Sequence, residues 1–130
     1  MFVLDSNSVV YLLKGKGCVG ERLLATPRNE VAVPAVVLYE LEVGTLRSGS
    51  PARRRAQLRD LVGAMEVLPF GEAEAAVAAR IRFDLEQRGL KIGPLDTLIA
   101  ATALRHRSTL VTHNVAEFGR VRGLLVEDWY

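Results

Sequence analysis

The chain opens on Phe2-Val3-Leu4, a short run that is apolar at every position and ends in Asp5, the pattern of a strand buried on both faces in a parallel sheet. Ser6 or Asn7 can then cap a helix running to about Lys14. Gly15 and Gly17 break that helix, and Val19 to Ala25 offers one or two more helical turns before Pro27. Glu30-Val31-Ala32-Val33 reads as a second strand. Pro34 suits a first helical turn, and apolar positions 37, 38, 41 and 44 carry helical spacing from Ala35 to about Arg47. After the turn Ser48-Gly49-Ser50-Pro51, the pattern predicts a basic amphipathic helix over Ala52 to Ala64 and a third strand over Met65 to Leu68. A long alanine-rich helix over Glu72 to Arg88 then stops at Gly89. Another helix runs from Gly93-Pro94 to about Arg107. A fourth strand follows over Thr109 to Thr112, and a fifth, at the sheet edge, over Leu124 to Glu127.

Strands alternating with helices predict an α/β sandwich, with a mostly parallel sheet of four to five strands flanked by helices. In open parallel sheets ligands bind beyond the carboxyl ends of the strands. That rule directs attention to Asp5 after the first strand and to His113-Asn114 after the fourth.

A length of 130 residues, 49% of them hydrophobic and 25% charged, suits one globular domain over residues 1–130. No apolar run reaches the roughly 18 residues of a membrane span. Met1-Phe2-Val3-Leu4 meets Asp5 without the features of a secretory signal, so a cytoplasmic location with no membrane partner is expected. The single cysteine, Cys18, cannot build an internal disulfide or a cysteine-rich zinc site, and reads as a small apolar filler. The net charge of +2 excludes little, but 14 of the 17 basic residues are arginines, the side chain shaped for bidentate phosphate contacts. Arg53-Arg54-Arg55 with Arg59 one turn on is either a solvated helix face or a contact for RNA or an acidic partner. The few, scattered aromatics predict no platform for stacking bases.

The carboxylates carry more information. Asp5 stands at the rim of the core in Leu4-Asp5-Ser6-Asn7, either capping the following helix or offering, with Asn7, oxygen ligands to a site. Glu40 shares a helical stripe with Val36 and Val43, beside a core face marked by Val37 and Leu41, so its charge needs a partner: a boundary salt bridge or a ligand. Asp96 opens a helix otherwise built of Leu98, Ile99, Ala100, Ala101 and Ala103, again as cap or ligand. Glu117 follows the fourth strand, with Asn114 as a neutral oxygen donor nearby. Three or four carboxylates brought together from separate elements repel one another and raise each other's pKa unless a multivalent cation offsets the charge. Oxygen-only ligation, with no thiolate cluster and two histidines, favours Mg²⁺ or Mn²⁺ over zinc and points to phosphoryl chemistry in which a bound water is the nucleophile.

Other motifs carry less. Lys14-Gly15-Lys16-Gly17 lacks the Gly-Lys-Ser/Thr ending of a phosphate loop and does not run from strand into helix. His106 and His113 fall on different elements and read as ordinary surface or helix-end histidines rather than a zinc pair. No Gly-x-Ser-x-Gly elbow supports a serine nucleophile.

Asp5-Ser6-Asn7, Glu40-Leu41 and Ile92-Gly93-Pro94-Leu95-Asp96-Thr97-Leu98-Ile99-Ala100-Ala101 stand in one order along the chain. Leu110-Val111-Thr112-His113-Asn114 with Glu117-Phe118, and Leu124 to Trp129, complete it. In this order and spacing, over about 120 residues, the chain resembles the PIN domain and, more narrowly, VapC-type toxins of toxin–antitoxin pairs. Ser6 stands where the family usually has Thr, keeping the hydroxyl; Asn114 stands where many members have Asp, so Asn114 or Glu117 completes the site. The resemblance implies a Mg²⁺-dependent endoribonuclease, with Mn²⁺ as a substitute, acting on structured RNA such as tRNA, held inactive by a cognate VapB-type antitoxin and usually homodimeric. It implies direct metal binding by Asp5 and Asp96, binding by Glu40 directly or through water, and water or second-ion positioning by Asn114 and Glu117, with Ser6 and Asn7 in support. With those four acids set aside at the metal, 11 of the 15 acidic residues remain against 17 basic ones, a balance suited to a polyanion. The same residues leave room for a catalytically idle PIN-like module that binds RNA or protein, or for a structure-specific DNA nuclease.

Overall fold

Five strands, β1 (Phe2–Leu4), β2 (Val31–Pro34), β3 (Glu66–Leu68), β4 (Thr109–Val111) and β5 (Leu125–Glu127), form one sheet in the order β3-β2-β1-β4-β5. Every neighbouring pair is parallel, so the sheet is parallel throughout rather than mostly so. The computed structural model describes residues 1–130. Its helices are α1 (Ser6–Lys14), α2 (Val19–Leu24), α3 (Ala35–Arg47), α4 (Pro51–Val62), α5 (Glu72–Gln87), α6 (Pro94–Arg105) and the short α7 (Val115–Phe118), with a 3₁₀ turn at Arg28–Glu30. None is long and apolar enough to cross a membrane.

The burial of each strand follows its place in the sheet. Val3 and Leu4 of β1, all four residues of β2, and Leu110 and Val111 of β4 are buried, because these central strands are covered on both faces. The edge strands β3 and β5 leave Val67 and Leu125 exposed. On α6, the small residues Ala100, Ala101 and Ala103 are fully buried, letting the helix lie close to β2 and β4. Its far side packs along α5.

Of the capping residues the sequence offered for α1, Asp5 takes the role rather than Ser6 or Asn7: its Oδ1 accepts the Ser8 amide at 2.8 Å. Three local features differ from the sequence reading. Pro34 closes β2, in register with Leu68, because its locked φ of −65° with ψ of 145° is extended and serves equally as the residue before a helix. Along α3 the buried stripe runs through Val37, Leu41 and Thr45, while Gly44 faces out. Cys18 is exposed at the start of α2 and fills no core space; its amide donates to the Trp129 carbonyl, and Val19 beside it enters the core instead. Gly15, in the left-handed conformation, terminates α1, so the Lys-Gly-Lys-Gly stretch ends a helix and does not begin one.

Strand order decides where a site can form. The chain leaves β1 for β2 and β3 on one side and returns to β4 and β5 on the other, so connections diverge at the carboxyl ends of β1 and β4. Leu4 pairs with Val111, and beyond that pair the Asp5 amide and the Ser8 hydroxyl both donate to the Val111 carbonyl, at 3.1 and 3.0 Å. Asp5 is thereby held against the segment that leads into Asn114 and α7.

Candidate active site

Asp5 is 5% exposed, on the short step from β1 into α1. One of its oxygens caps α1, which leaves Oδ2 for the site; capping and site roles coexist in one side chain. Glu40, half-buried on α3, has no basic partner and instead accepts the Ser6 hydroxyl at 2.5 Å on Oε1, a short charge-assisted bond. Asp96 is the third residue of α6, whose cap position is Gly93, so it is not the helix cap. A side chain at Gly93 would crowd it, since an added Cβ would lie 3.3 Å from Asp96 Oδ2. Glu117, on α7, accepts the Asn114 side-chain amide on Oε2, and the Asn114 main-chain amide donates to Thr112 Oγ1 at 3.0 Å. Asn7 is exposed beside them.

The electrostatics bring three of these carboxylates to bear on the fourth. The Asp96 carboxyl is pushed from 3.8 up to about 6, first by burial and then by the negative charges of Glu117, Glu40 and Asp5. Glu117, Glu40 and Asp5 thus act on Asp96 from three other parts of the chain.

No three His, Cys, Asp or Glu side chains converge into a ready-made metal cage. Ser8, Ser6 and Asn114 each hold one oxygen of Asp5, Glu40 and Glu117. The donor set nevertheless fits a hard divalent cation: every candidate ligand is oxygen, and the unrelieved repulsion on Asp96 is what such an ion offsets. Mg²⁺ characteristically keeps several waters and takes only one or two carboxylates directly, so a closed cage is not what it requires.

Two hollows adjoin this region. A groove of about 480 Å³ between α1, α3 and α4 is lined by Ser6, Asn7 and Glu40 together with Lys14, Arg54 and the apolar Val10, Leu13, Leu41 and Leu58. Of the four carboxylates it includes Glu40. The larger hollow, about 540 Å³ between α5 and α6, is mainly apolar and includes none of the four carboxylates, so the smaller groove is the relevant one. Of the basic run Arg53-Arg54-Arg55, left open between a solvated face and an RNA contact, only Arg54 lines this groove, because the packing of α4 on α3 brings it toward α1. Arg53, Arg55 and Arg59 stay on the exposed side of α4, Arg55 lying 3.8 Å from Glu42.

Aromatic side chains far apart in sequence assemble nearby: Tyr130 stacks on His113 with ring centroids 4.4 Å apart, and Tyr11 stands edge-on to both. His113 Nδ1 donates to Asp128 Oδ2 at 2.9 Å, so it is neither a free surface histidine nor a metal pair with His106.

Comparison with known proteins agrees with this architecture. The PIN domain family matches residues 2–124. The chain is 33% identical over 128 residues to the tRNA(fMet)-specific endonuclease VapC of Shigella flexneri, covering 98% of this chain and 97% of that one. It is also 33% identical over 131 residues to ribonuclease VapC2 of Rickettsia felis, covering 99% and 98%. Among solved structures, the DNA-bound VapBC of Salmonella typhimurium superposes with a TM-score of 0.94 at 30% identity, covering 99% of this chain and 98% of that one. The VapBC2 of Rickettsia felis bound to a promoter DNA fragment gives 0.92 at 32% identity, with the same coverage. With its parallel sheet, its acidic pocket at the β1–β4 divergence and these full-length matches, the chain belongs to the PIN-domain family, in the branch of the VapC ribonucleases.

Proposed function

We propose that this protein is the toxin of a VapBC-type toxin–antitoxin pair, a cytoplasmic, Mg²⁺-dependent endoribonuclease whose substrate is tRNA or another structured RNA. The observation that carries the reading is the crowding of Asp96 by Glu117, Glu40 and Asp5, negative charge that would repel a phosphate unless a cation offset it. When bound, a divalent ion with Mg²⁺ chemistry, Mn²⁺ being the substitute, would neutralise that charge and lower the pKa of a water. Asp5 and Asp96 would hold it directly, and Glu40, fixed by Ser6, directly or through water. Asn114 and Glu117 would orient the attacking water from the opposite element, α7. Lys14 and Arg54 stand along the groove to receive neighbouring phosphates.

Water attack breaks the bond between phosphorus and O3′, leaving a 5′-phosphate and a 3′-hydroxyl. A VapB-type antitoxin is the expected inhibitor, as VapBC complexes are among the structural relatives. Homodimerisation accords with large apolar side chains left exposed at Tyr39, Leu46 and Phe83.

The test is incubation of the purified full chain with total tRNA and with single-stranded DNA, in Mg²⁺, in Mn²⁺ and in EDTA, beside Asp96→Asn. Discrete RNA fragments with 5′-phosphate ends, lost in EDTA and in the variant, are expected. Cyclic 2′,3′-phosphate ends would overturn the water mechanism, and DNA cleavage in place of RNA would make the protein a DNA nuclease. RNA bound but left intact in every condition would make it a non-cutting module.

A further inference from the structure

The His113–Tyr130 stack is built with more care than covering a helix end requires. Asp128 holds both members: Oδ2 accepts His113 Nδ1, and Oδ1 accepts the Tyr130 amide, each at 2.9 Å. Tyr11 braces both rings edge-on, the arrangement that ring quadrupoles favour. Gly17 seats the tyrosine so closely that a Cβ there would lie 2.7 Å from the Tyr130 carbonyl carbon. Yet the stack is not buried: Tyr130 is 50% exposed and the His113 side chain 47%. Two fixed, half-exposed rings therefore present π surface to solvent.

Their position gives that surface a use. His113 directly precedes Asn114, whose side chain is bonded to Glu117 in the acidic pocket. Lys16 is exposed in the loop whose Gly17 lies against Tyr130, and Lys14 lines the groove that Glu40 shares. A strand leaving the acidic residues past Asn114 would meet the His113 ring next, with exposed lysines on the adjoining loop, the combination of charge and aromatic planes by which unpaired nucleotides are held.

We propose that the His113–Tyr130 stack is a subsite for one unpaired base of the RNA strand adjacent to the cleaved phosphate. The inference rests on the ribonuclease reading and deepens it: the base extends the ring stack, and this positions the neighbouring phosphate at the acidic pocket. Recognition by stacking tolerates any base, so the subsite selects for an unpaired nucleotide rather than for a sequence. Asp128 is a positioning residue for both rings.

The test uses the full chain carrying Asp96→Asn, to prevent cutting, and a set of short single-stranded RNAs, each with the fluorescent base 2-aminopurine at a different position, plus matched RNAs lacking the base there. At one position fluorescence is quenched on binding, and removal of that base weakens binding about tenfold, as loss of one base–aromatic stack does. Tyr130→Leu, which keeps apolar bulk without a ring, abolishes both the quench and the penalty for the missing base; Tyr130→Phe preserves both. A penalty that survives in Tyr130→Leu and in His113→Leu overturns the subsite, as does an equal loss of affinity for RNAs with and without the base, which marks the stack as structural only. Cleavage of RNA by the otherwise unaltered protein, assayed in parallel, separates the two readings: cutting without a base-dependent stack removes the subsite alone, whereas absence of both cutting and binding removes the ribonuclease reading with it.

Discussion

Ser6 donates its hydroxyl to Glu40 at 2.5 Å, tying the first residue of α1 to the middle of α3 across 34 positions of sequence. The bond fixes a carboxylate with no cation beside it, one whose charge is felt at Asp96. Supporting hydrogen bonds of this kind typically matter about tenfold or more for the group they orient. Ser6→Ala is therefore expected to cut the rate of RNA cleavage about tenfold with little change in melting temperature. Glu40→Gln, which can still accept the hydroxyl, should keep the fold and lower the rate further. Wild-type rates in both variants would remove Glu40 from the site.

Asp5 has two duties that substitution can separate. Asn at this position still accepts the Ser8 amide, whereas Ala does not. Asp5→Ala should cost about 1 kcal/mol of stability, the ordinary worth of a helix cap, while Asp5→Asn stays close to the parent. Both should lose cleavage. Thermal unfolding and an RNA assay on the same preparations check this, and an active Asp5→Asn would mean that capping is its only role.

Asp96 makes stability depend on pH in a defined window. Its pKa is raised in the folded chain from 3.8 to about 6, so the folded state binds the proton more tightly than the unfolded one. The stabilising contribution of the neutral form is full below about pH 4, is lost as pH rises through 6, and above that the ionised carboxylate burdens the fold. In chelator, Asp96→Asn should match the parent near pH 4 and become the more stable of the two by pH 7. Mg²⁺ at pH 7 should raise the melting temperature of the parent and leave that of the variant nearly unmoved. A variant less stable than the parent at pH 7 would contradict the crowding of charge at this site.

Lys14 and Arg54 line the groove from opposite helices. If each neutralises a phosphate, Lys14→Ala and Arg54→Ala should weaken RNA binding for all sequences alike and each lower the slope of log affinity against log salt by about 0.7 to 1. Arg59→Ala, on the exposed face of the same helix, should leave the slope unchanged. Binding titrations at several salt concentrations distinguish these outcomes.

The elements and most of the pocket were readable along the chain, for local reasons. Phe2-Val3-Leu4 is apolar at consecutive positions because β1 is covered on both faces, and Asp5 must then fall at its carboxyl end. The helical spacing of Val37 and Leu41 turns Glu40 away from the core, and the small residues after Asp96 mark a helix pressed onto the sheet. Boundaries were less legible. Whether Pro34 ends a strand or opens a helix depends on its pairing with β3, and whether Cys18 is buried depends on how Val19 docks; neither is written in neighbouring residues.

Periodicity, breakers and the order of polar residues were thus enough to establish a sheet alternating with helices and to put Asp5 and Asn114 beyond the carboxyl ends of its strands, whereas a joint site with Glu40, Asp96 and Glu117 was implied by the family resemblance. Those features depend on contacts within a few residues, which local spacing encodes. The crossing of helices and the return of distant segments settled the rest: Arg54 reaches the groove only because α4 folds back on α3, and Tyr11, His113 and Tyr130 stack only because the strand order brings α1, the end of β4 and the segment after β5 to one corner. Such contacts depend on the relative placement of elements many residues apart, which packing of the core determines and no local pattern records.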